Sequence, residues 1–91
     1  MSSEFEKAVE FVRKPAAGAE PSTAQKLRFY GLYKQATVGD NETPEPSFYQ
    51  IEAKQKWKAW AELKGMDKAT AQAEYVKALD SSTPNWRQQA N

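Results

Sequence analysis

Apolar residues recur at helical spacing in four stretches of the chain, and no stretch alternates with the period of two that strands require. The first stretch carries a stripe of apolar side chains formed by Phe5, Ala8, Val9 and Val12. Ser3 followed by Glu6 makes a capping box that starts a helix, and Pro15 prevents the helix from continuing. We therefore predict a helix from Ser3 to Lys14.

The other three helices are predicted from start and stop signals. The second opens at Ser22, with Gln25 as its capping partner, and ends at Ala36 ahead of Gly39, which suits a left-handed C-terminal conformation. The third spans Tyr49 to Lys64 and stops at Gly65; the fourth runs from its N-cap Asp67 to Asp80. Pro84 in the tail does not continue a regular helix.

The lengths of the connections predict how these helices are arranged. The first and third connections are short, which favours antiparallel neighbours, whereas residues 38–48 are long enough to let helices two and three run parallel. An all-α bundle of four helices is predicted. The length of 91 residues fits one domain, 1–91.

Two lysines fall among the apolar and aromatic side chains when the helices are projected at about 100° per residue. Lys34 lies one turn after Tyr30, and Lys56 lies between the directions of Trp60 and Leu63. An ammonium group held against apolar surface is unfavourable unless it is paired or reaches water. Either both side chains extend to solvent, or both converge on a bound anion while the rings cover a flat group such as a purine.

Three further residues have a structural and a functional interpretation. Tyr75 lies in the apolar arc of the fourth helix, where it either packs in the core or donates to a ligand oxygen. Arg13 flanks the first stripe as a surface charge or as a ligand contact. Gly31 in mid-helix costs about 1 kcal/mol relative to Ala, which indicates a close backbone, a close ligand, or simple tolerance.

Composition excludes several functions. Thirteen basic and twelve acidic residues give a net charge of +1, without the basic excess typical of nucleic-acid binding. Cysteine and histidine are absent, which removes disulfides, a thiol nucleophile and the commonest metal ligand and general base. The sequence contains no run of about 18 apolar residues, so it does not predict insertion into a membrane. We expect a soluble, cytoplasmic monomer.

The segments YGLYKQATVGD (30–40), KQKWKAWAELKGM (54–66) and AEYVKAL (73–79) resemble the acyl-CoA-binding protein family. The resemblance extends from about Ser3 to Leu79. It implies an up-down-down-up bundle with a long overhand loop between helices 2 and 3, which agrees with the connection lengths. It also implies binding of medium- to long-chain acyl-CoA esters, which such proteins buffer, transport and present to lipid-metabolic enzymes.

The resemblance also assigns roles to individual residues. It places Tyr30, Tyr33 and Lys34 in the nucleotide site, Lys34 at the 3′-phosphate region and Tyr30 at the adenine. Lys56 matches a second phosphate-region lysine, and Tyr75 matches a ligand-contacting tyrosine. Arg13 stands where the family often has a lysine. The departures are Glu52 at a position that is often lysine, and Lys26 at one that is often apolar.

The predicted function is therefore non-covalent binding of long-chain acyl-CoA, with no metal or cofactor and with acyl-CoA-using enzymes as transient partners. The main alternative is a helical interaction module whose Trp and Tyr face takes a partner helix. An enzyme is the weakest interpretation, because no constellation of catalytic groups stands out.

Overall fold

The structure, a computed structural model, describes residues 3–15, 18 and 20–89, and these contain helices but no strand. The helices are α1 (Ser3–Arg13), α2 (Thr23–Thr37), α3 (Ile51–Ala61), α4 (Lys68–Ser82) and a short α5 (Trp86–Gln89). The prediction of four main helices is confirmed. None of the described helices has the length and apolar character needed to cross a membrane.

The predicted starts of α2 and α4 are confirmed by their caps. Ser22 Oγ accepts from the Gln25 backbone N–H at 3.2 Å, and Gln25 Oε1 accepts from the Ser22 N–H at 2.8 Å. Asp67 Oδ1 accepts from the Thr70 N–H at 2.7 Å. Each cap satisfies backbone donors that the first helical turn leaves free. The side chain of Ser3, and with it the capping box predicted for α1, lies outside the described residues.

Helix α3 is shorter than predicted, and the predicted bounds Tyr49 and Lys64 are wrong at both ends. At the start, the Gln50 N–H donates to the Ser47 carbonyl at 2.9 Å, so residues 47–50 form a turn. At the end, the Leu63 N–H donates to the Trp60 carbonyl at 3.0 Å, a tighter i to i+3 bond that closes the helix. Gly65 follows at φ +94°. Hydrogen bonds in the adjoining turns therefore set the length of this helix.

Helices α2 and α3 run parallel. Tyr30 faces Lys56, Gly31 faces Ala59, and Lys34 faces Trp60, so the contacts advance in the same direction along both helices. Residues 38–50 must therefore carry the chain back along α3 before it starts. The predicted parallel pair is confirmed.

The two tryptophans of α3 fix the long connection to this helix. The indole N–H of Trp60 donates to the Gly39 carbonyl at 2.7 Å, and that of Trp57 donates to the Thr43 carbonyl at 2.9 Å. One turn earlier, Lys54 Nζ lies 3.3 Å from a Glu45 carboxylate oxygen. The loop thus runs along α3 as an ordered element, and it covers part of the surface formed by Trp57 and Trp60.

Helices α2 and α4 run antiparallel. Phe29 of α2 packs on Tyr75 of α4, with ring centroids 5.0 Å apart, while Gln35 near the end of α2 donates to the Met66 carbonyl just before α4. Helix α1 packs against α2 and α4 through Phe5, whose ring lies 6.4 Å from that of Tyr33 and 5.3 Å from that of Tyr75.

A buried polar link holds the end of α2 to the turn between α3 and α4. Gln35 is fully buried, and its Nε2 donates to Asp40 Oδ1 at 2.9 Å and to the Met66 carbonyl at 2.7 Å. The Gly65 N–H donates to the same Asp40 oxygen at 2.9 Å. These hydrogen bonds hold the pKa of Asp40 below its usual value, the Gly65 contribution being the largest.

The core contains residues that the sequence patterns did not single out. Phe11 is buried beside Trp86 of α5, with ring centroids 6.1 Å apart. Trp86 is 1% exposed and its indole N–H donates to Asp80 at 2.8 Å, so the tail docks after Pro84. Ala53, near the start of α3, is exposed.

Candidate ligand-binding site

Two lysines and two rings alternate along the contact between α2 and α3. Lys34 Nζ lies 5.0 Å from the centroid of the Trp60 ring, and Lys56 Nζ lies 5.8 Å from the centroid of the Tyr30 ring. On each helix the lysine and the ring are one turn apart, so parallel packing sets each lysine against the ring of the other helix. The structure therefore brings Tyr30, Lys34 and Lys56 together at the contact between α2 and α3.

Both ammonium groups remain accessible to water. The Lys34 and Lys56 residues are half-buried, and the Lys56 side chain keeps 45% of its surface exposed. The faces of the rings add a cation–π attraction that partly replaces the hydration of the ammonium groups. The two positive charges are thus held at the surface of the bundle, where an anion can reach them.

A cavity of about 210 Å³ adjoins this pair of helices. Its walls combine aromatic and apolar side chains from α1, α2 and α4 with cations at the rim: Val9, Val12, Arg13, Lys26, Phe29, Tyr30, Tyr33 and Tyr75. Four of the six predicted site residues line it, namely Arg13, Tyr30, Tyr33 and Tyr75. Lys34 and Lys56 do not line the cavity. Tyr30 connects the two lysines to the cavity, because it lines the cavity wall and its ring also faces Lys56.

Tyr75 is both a core residue and part of the cavity wall. Its side chain is 3% exposed and packs edge-on against Phe5. Burial raises the pKa of its phenol, and the positive charge of Arg13 acts in the opposite direction. Tyr75 therefore presents a neutral hydroxyl, which is able to donate a hydrogen bond.

The rim cations Arg13 and Lys26 are exposed. Arg13 forms a 3.4 Å ion pair with Glu10, and both side chains are more than 60% exposed, so this pair contributes little and leaves the guanidinium free to move. Lys26, which departs from the family pattern, is a lining residue that the prediction missed. Its position one turn before Tyr30 was the available signal.

A larger groove of about 510 Å³ lies between α2 and α4 on another side of Phe29. Its lining is mixed in charge, with Arg28 and Glu74 facing each other at 3.8 Å and Lys77 nearby. Glu74 offsets part of the positive charge of this groove, and none of the six predicted site residues lines it. The smaller aromatic cavity is therefore the better candidate for an anionic ligand with a flat ring.

Within residues 3–15, 18 and 20–89, no group of three or more potential ligand residues is placed to hold a metal ion. The site offers positive charge, ring faces, apolar walls and one buried phenol. An anion and a flat ring can bind side by side on such a surface, with an apolar group alongside. The fold and the site thus define a small-ligand-binding helical bundle.

Comparison with known proteins identifies the family. The acyl-CoA-binding protein family model matches residues 2–79. The chain is 45% identical over 62 residues to acyl-CoA-binding protein 2 of Saccharomyces pastorianus, covering 68% of this chain and 71% of that protein. It is 44% identical over 61 residues to the acyl-CoA-binding protein of Saccharomyces cerevisiae, covering 67% of this chain and 70% of that protein.

Solved structures agree with these matches. The crystal structure of the acyl-CoA-binding protein of Moniliophthora perniciosa superposes with a TM-score of 0.85 at 37% identity, covering 94% of this chain and 84% of that one. The solution structure of the Babesia bovis protein gives a TM-score of 0.80 at 44% identity, covering 92% of this chain and 94% of that one. The chain belongs to the acyl-CoA-binding protein family.

Proposed function

We propose that the protein binds medium- to long-chain fatty acyl-CoA esters non-covalently, and that it buffers and transports them. The observation that carries this proposal is the alternation of Lys34 and Lys56 with the rings of Trp60 and Tyr30, beside an aromatic cavity. Membership of the acyl-CoA-binding protein family supports the same ligand.

In this proposal the nucleotide half of the ligand lies across α2 and α3. Lys34 and Lys56 neutralise the 3′-phosphate region, since lysine is a competent point charge for phosphate. Tyr30 and Tyr33 flank the adenine. Tyr75 donates a hydrogen bond, and Arg13 at the rim approaches the diphosphate. Lys54 is held by Glu45 of the loop and assists less.

The acyl half lies against apolar surface between the helices. Burying about ten methylene groups at ~0.8 kcal/mol each gives a gross gain of roughly 8 kcal/mol before ordering costs. Val9, Val12 and Phe29 supply apolar walls of the cavity. A bound acyl chain therefore dominates the affinity, and CoA without one is a much weaker ligand.

Calorimetric titration tests the proposal. Palmitoyl-CoA is expected to bind far more tightly than free CoA, because only the ester buries apolar surface. Equal affinities would contradict the apolar half of the site, and the absence of binding by both would contradict the proposal as a whole.

An interaction module remains the second candidate, because Phe48, Tyr49 and Ile51 are 82%, 71% and 66% exposed at the start of α3. The surface formed by Trp57 and Trp60 is less suitable for binding a partner helix, since both indole N–H groups donate to carbonyl groups of the loop. A thermal shift separates the candidates: a ligand raises stability by RT ln(1 + [L]/Kd), whereas a pure interaction module is not stabilised by palmitoyl-CoA.

The remaining features of the proposal follow from this role. The family is one of binding proteins, and we propose that the chain catalyses no reaction and needs no cofactor. Residues 1–91 act as a single acyl-CoA-binding domain. The protein works as a cytoplasmic monomer that passes its ligand to acyl-CoA-using enzymes by transient contact.

A further inference from the structure

Glu52 forms an ion pair with one of the two lysines of the candidate site. It lies in the first turn of α3, and its Oε1 is 3.3 Å from Lys56 Nζ, one turn further along the helix. A glutamate four residues before a lysine is the favourable order for such a helical pair. The Glu52 side chain is 83% exposed, and Lys56 is its ion-pair partner among the described residues.

Lys34 is in a different situation. Its ammonium lies over the Trp60 ring, and no described carboxylate lies within ion-pair distance of it. Its full positive charge is therefore open to an incoming anion. The charge of Lys56, in contrast, is partly neutralised before any ligand arrives.

No other cation of α3 replaces Lys56. Lys54 is bound to Glu45 at 3.3 Å, and Lys58 carries no described ion pair but is exposed on another face of the helix. Among the cations of α3, Lys56 is the one placed over the Tyr30 ring in the described structure, 5.8 Å from its centroid and beside the cavity wall. A ligand anion held between α2 and α3 thus competes with Glu52 for the same ammonium.

We propose that Glu52 is an affinity-determining residue that restrains Lys56 and weakens the binding of the phosphorylated ligand. This inference rests on the proposed function. Phosphate must displace the Glu52 carboxylate from Lys56, and breaking this ion pair opposes binding. This cost disappears when the carboxylate is replaced by an amide of the same shape.

A double-mutant cycle tests the proposal by calorimetric titration with palmitoyl-CoA at low ionic strength. Glu52→Gln should tighten binding about two- to fivefold, the range expected for release of an exposed ion pair. In a protein that already carries Lys56→Ala, adding Glu52→Gln should change the affinity much less than it does in the wild type, because the restrained ammonium is gone. Glu62→Gln is the matched control, since it removes one exposed carboxylate from the other end of α3 and should leave the affinity unchanged.

Ionic strength provides a second measurement. Salt screens exposed charges, so the advantage of Glu52→Gln over the wild type should shrink as salt is added. A merely structural role for Glu52 would not produce this dependence. Circular dichroism confirms that the variants keep their helix content.

The outcomes separate this proposal from the previous one. Unchanged or weaker binding in Glu52→Gln, with a binding wild type, would overturn the role of Glu52 alone. Equal tightening with and without Lys56 would also overturn it, since the effect would then be general repulsion. A wild type that does not bind palmitoyl-CoA would refute both proposals.

Discussion

Gly31 of α2 is in backbone contact with Ala59 of α3: a Cβ atom on Gly31 would lie only 2.5 Å from the Ala59 carbonyl oxygen. This close approach lies between the Tyr30–Lys56 and Lys34–Trp60 pairs. The missing side chain therefore lets the two helices come close enough for each lysine to reach the opposite ring. Of the three explanations for this mid-helix glycine, a close backbone is the correct one.

Gly31→Ala should lower the free energy of unfolding by about 1–3 kcal/mol, because the methyl group forces the two helices apart. The sign of this change in unfolding free energy is informative, since replacing glycine by alanine in an unobstructed helix would raise stability by about 1 kcal/mol. Urea denaturation measures the change. Ala73→Gly at an exposed position of α4 calibrates the helix-propensity effect alone. A stabilised Gly31→Ala protein would show that α2 and α3 are not in contact there.

Lys34→Ala should weaken palmitoyl-CoA binding by about 1.5–3 kcal/mol, as expected for the loss of a charge-assisted contact. Lys58→Ala removes the same charge from an exposed position and should leave the affinity nearly unchanged. Calorimetric titration at low salt compares the two variants. If Lys34→Ala keeps the wild-type affinity, the lysine only extends to solvent over the Trp60 ring.

Trp86→Ala should destabilise the protein by about 3–5 kcal/mol, because the indole is 1% exposed and packs on Phe11. Arg87 also ties the tail down, through exposed carboxylates of Glu4 and Asp80, so Arg87→Ala should destabilise the protein much less than Trp86→Ala. Chemical denaturation of both variants provides the comparison. Equal stability of Trp86→Ala and wild type would mean that the tail is not docked in solution.

The buried phenol of Tyr75 should make stability decrease at alkaline pH. Because burial raises its pKa, the folded state holds the phenolic proton more tightly than the unfolded chain, where tyrosine ionises near pH ~10. The linked stability is fully present below that pH and is lost as pH rises through the folded-state pKa.

Unfolding free energies measured from neutral pH upward should therefore fall less steeply in Tyr75→Phe than in the wild type once pH exceeds about 10. Tyr49→Phe, at a side chain that is 71% exposed, should leave the slope unchanged. An identical slope in Tyr75→Phe would show that the phenol ionises as freely in the folded state as in the unfolded chain.

Local signals in the sequence predicted most of the helix boundaries. The caps at Ser22 and Asp67 were predictable because the bonds that form them span only three residues. The ends of α3 were not, since they depend on backbone hydrogen bonds of Gln50 and Leu63, and no side chain caps the helix at Gln50. At the site, Lys34 and Lys56 stood out by helical direction alone, whereas Lys26 lines a cavity that forms only when α1, α2 and α4 are packed together.

Periodicity, capping and loop length predicted the four main helices, their parallel and antiparallel order, and two lysines among aromatic side chains, because these signals are properties of neighbouring residues. Only the packed bundle shows which ring each lysine meets, how closely Gly31 lets α2 approach α3, and that Trp86 packs beside Phe11. These contacts join residues that are far apart in the chain, so their geometry exists only when the helices are packed together.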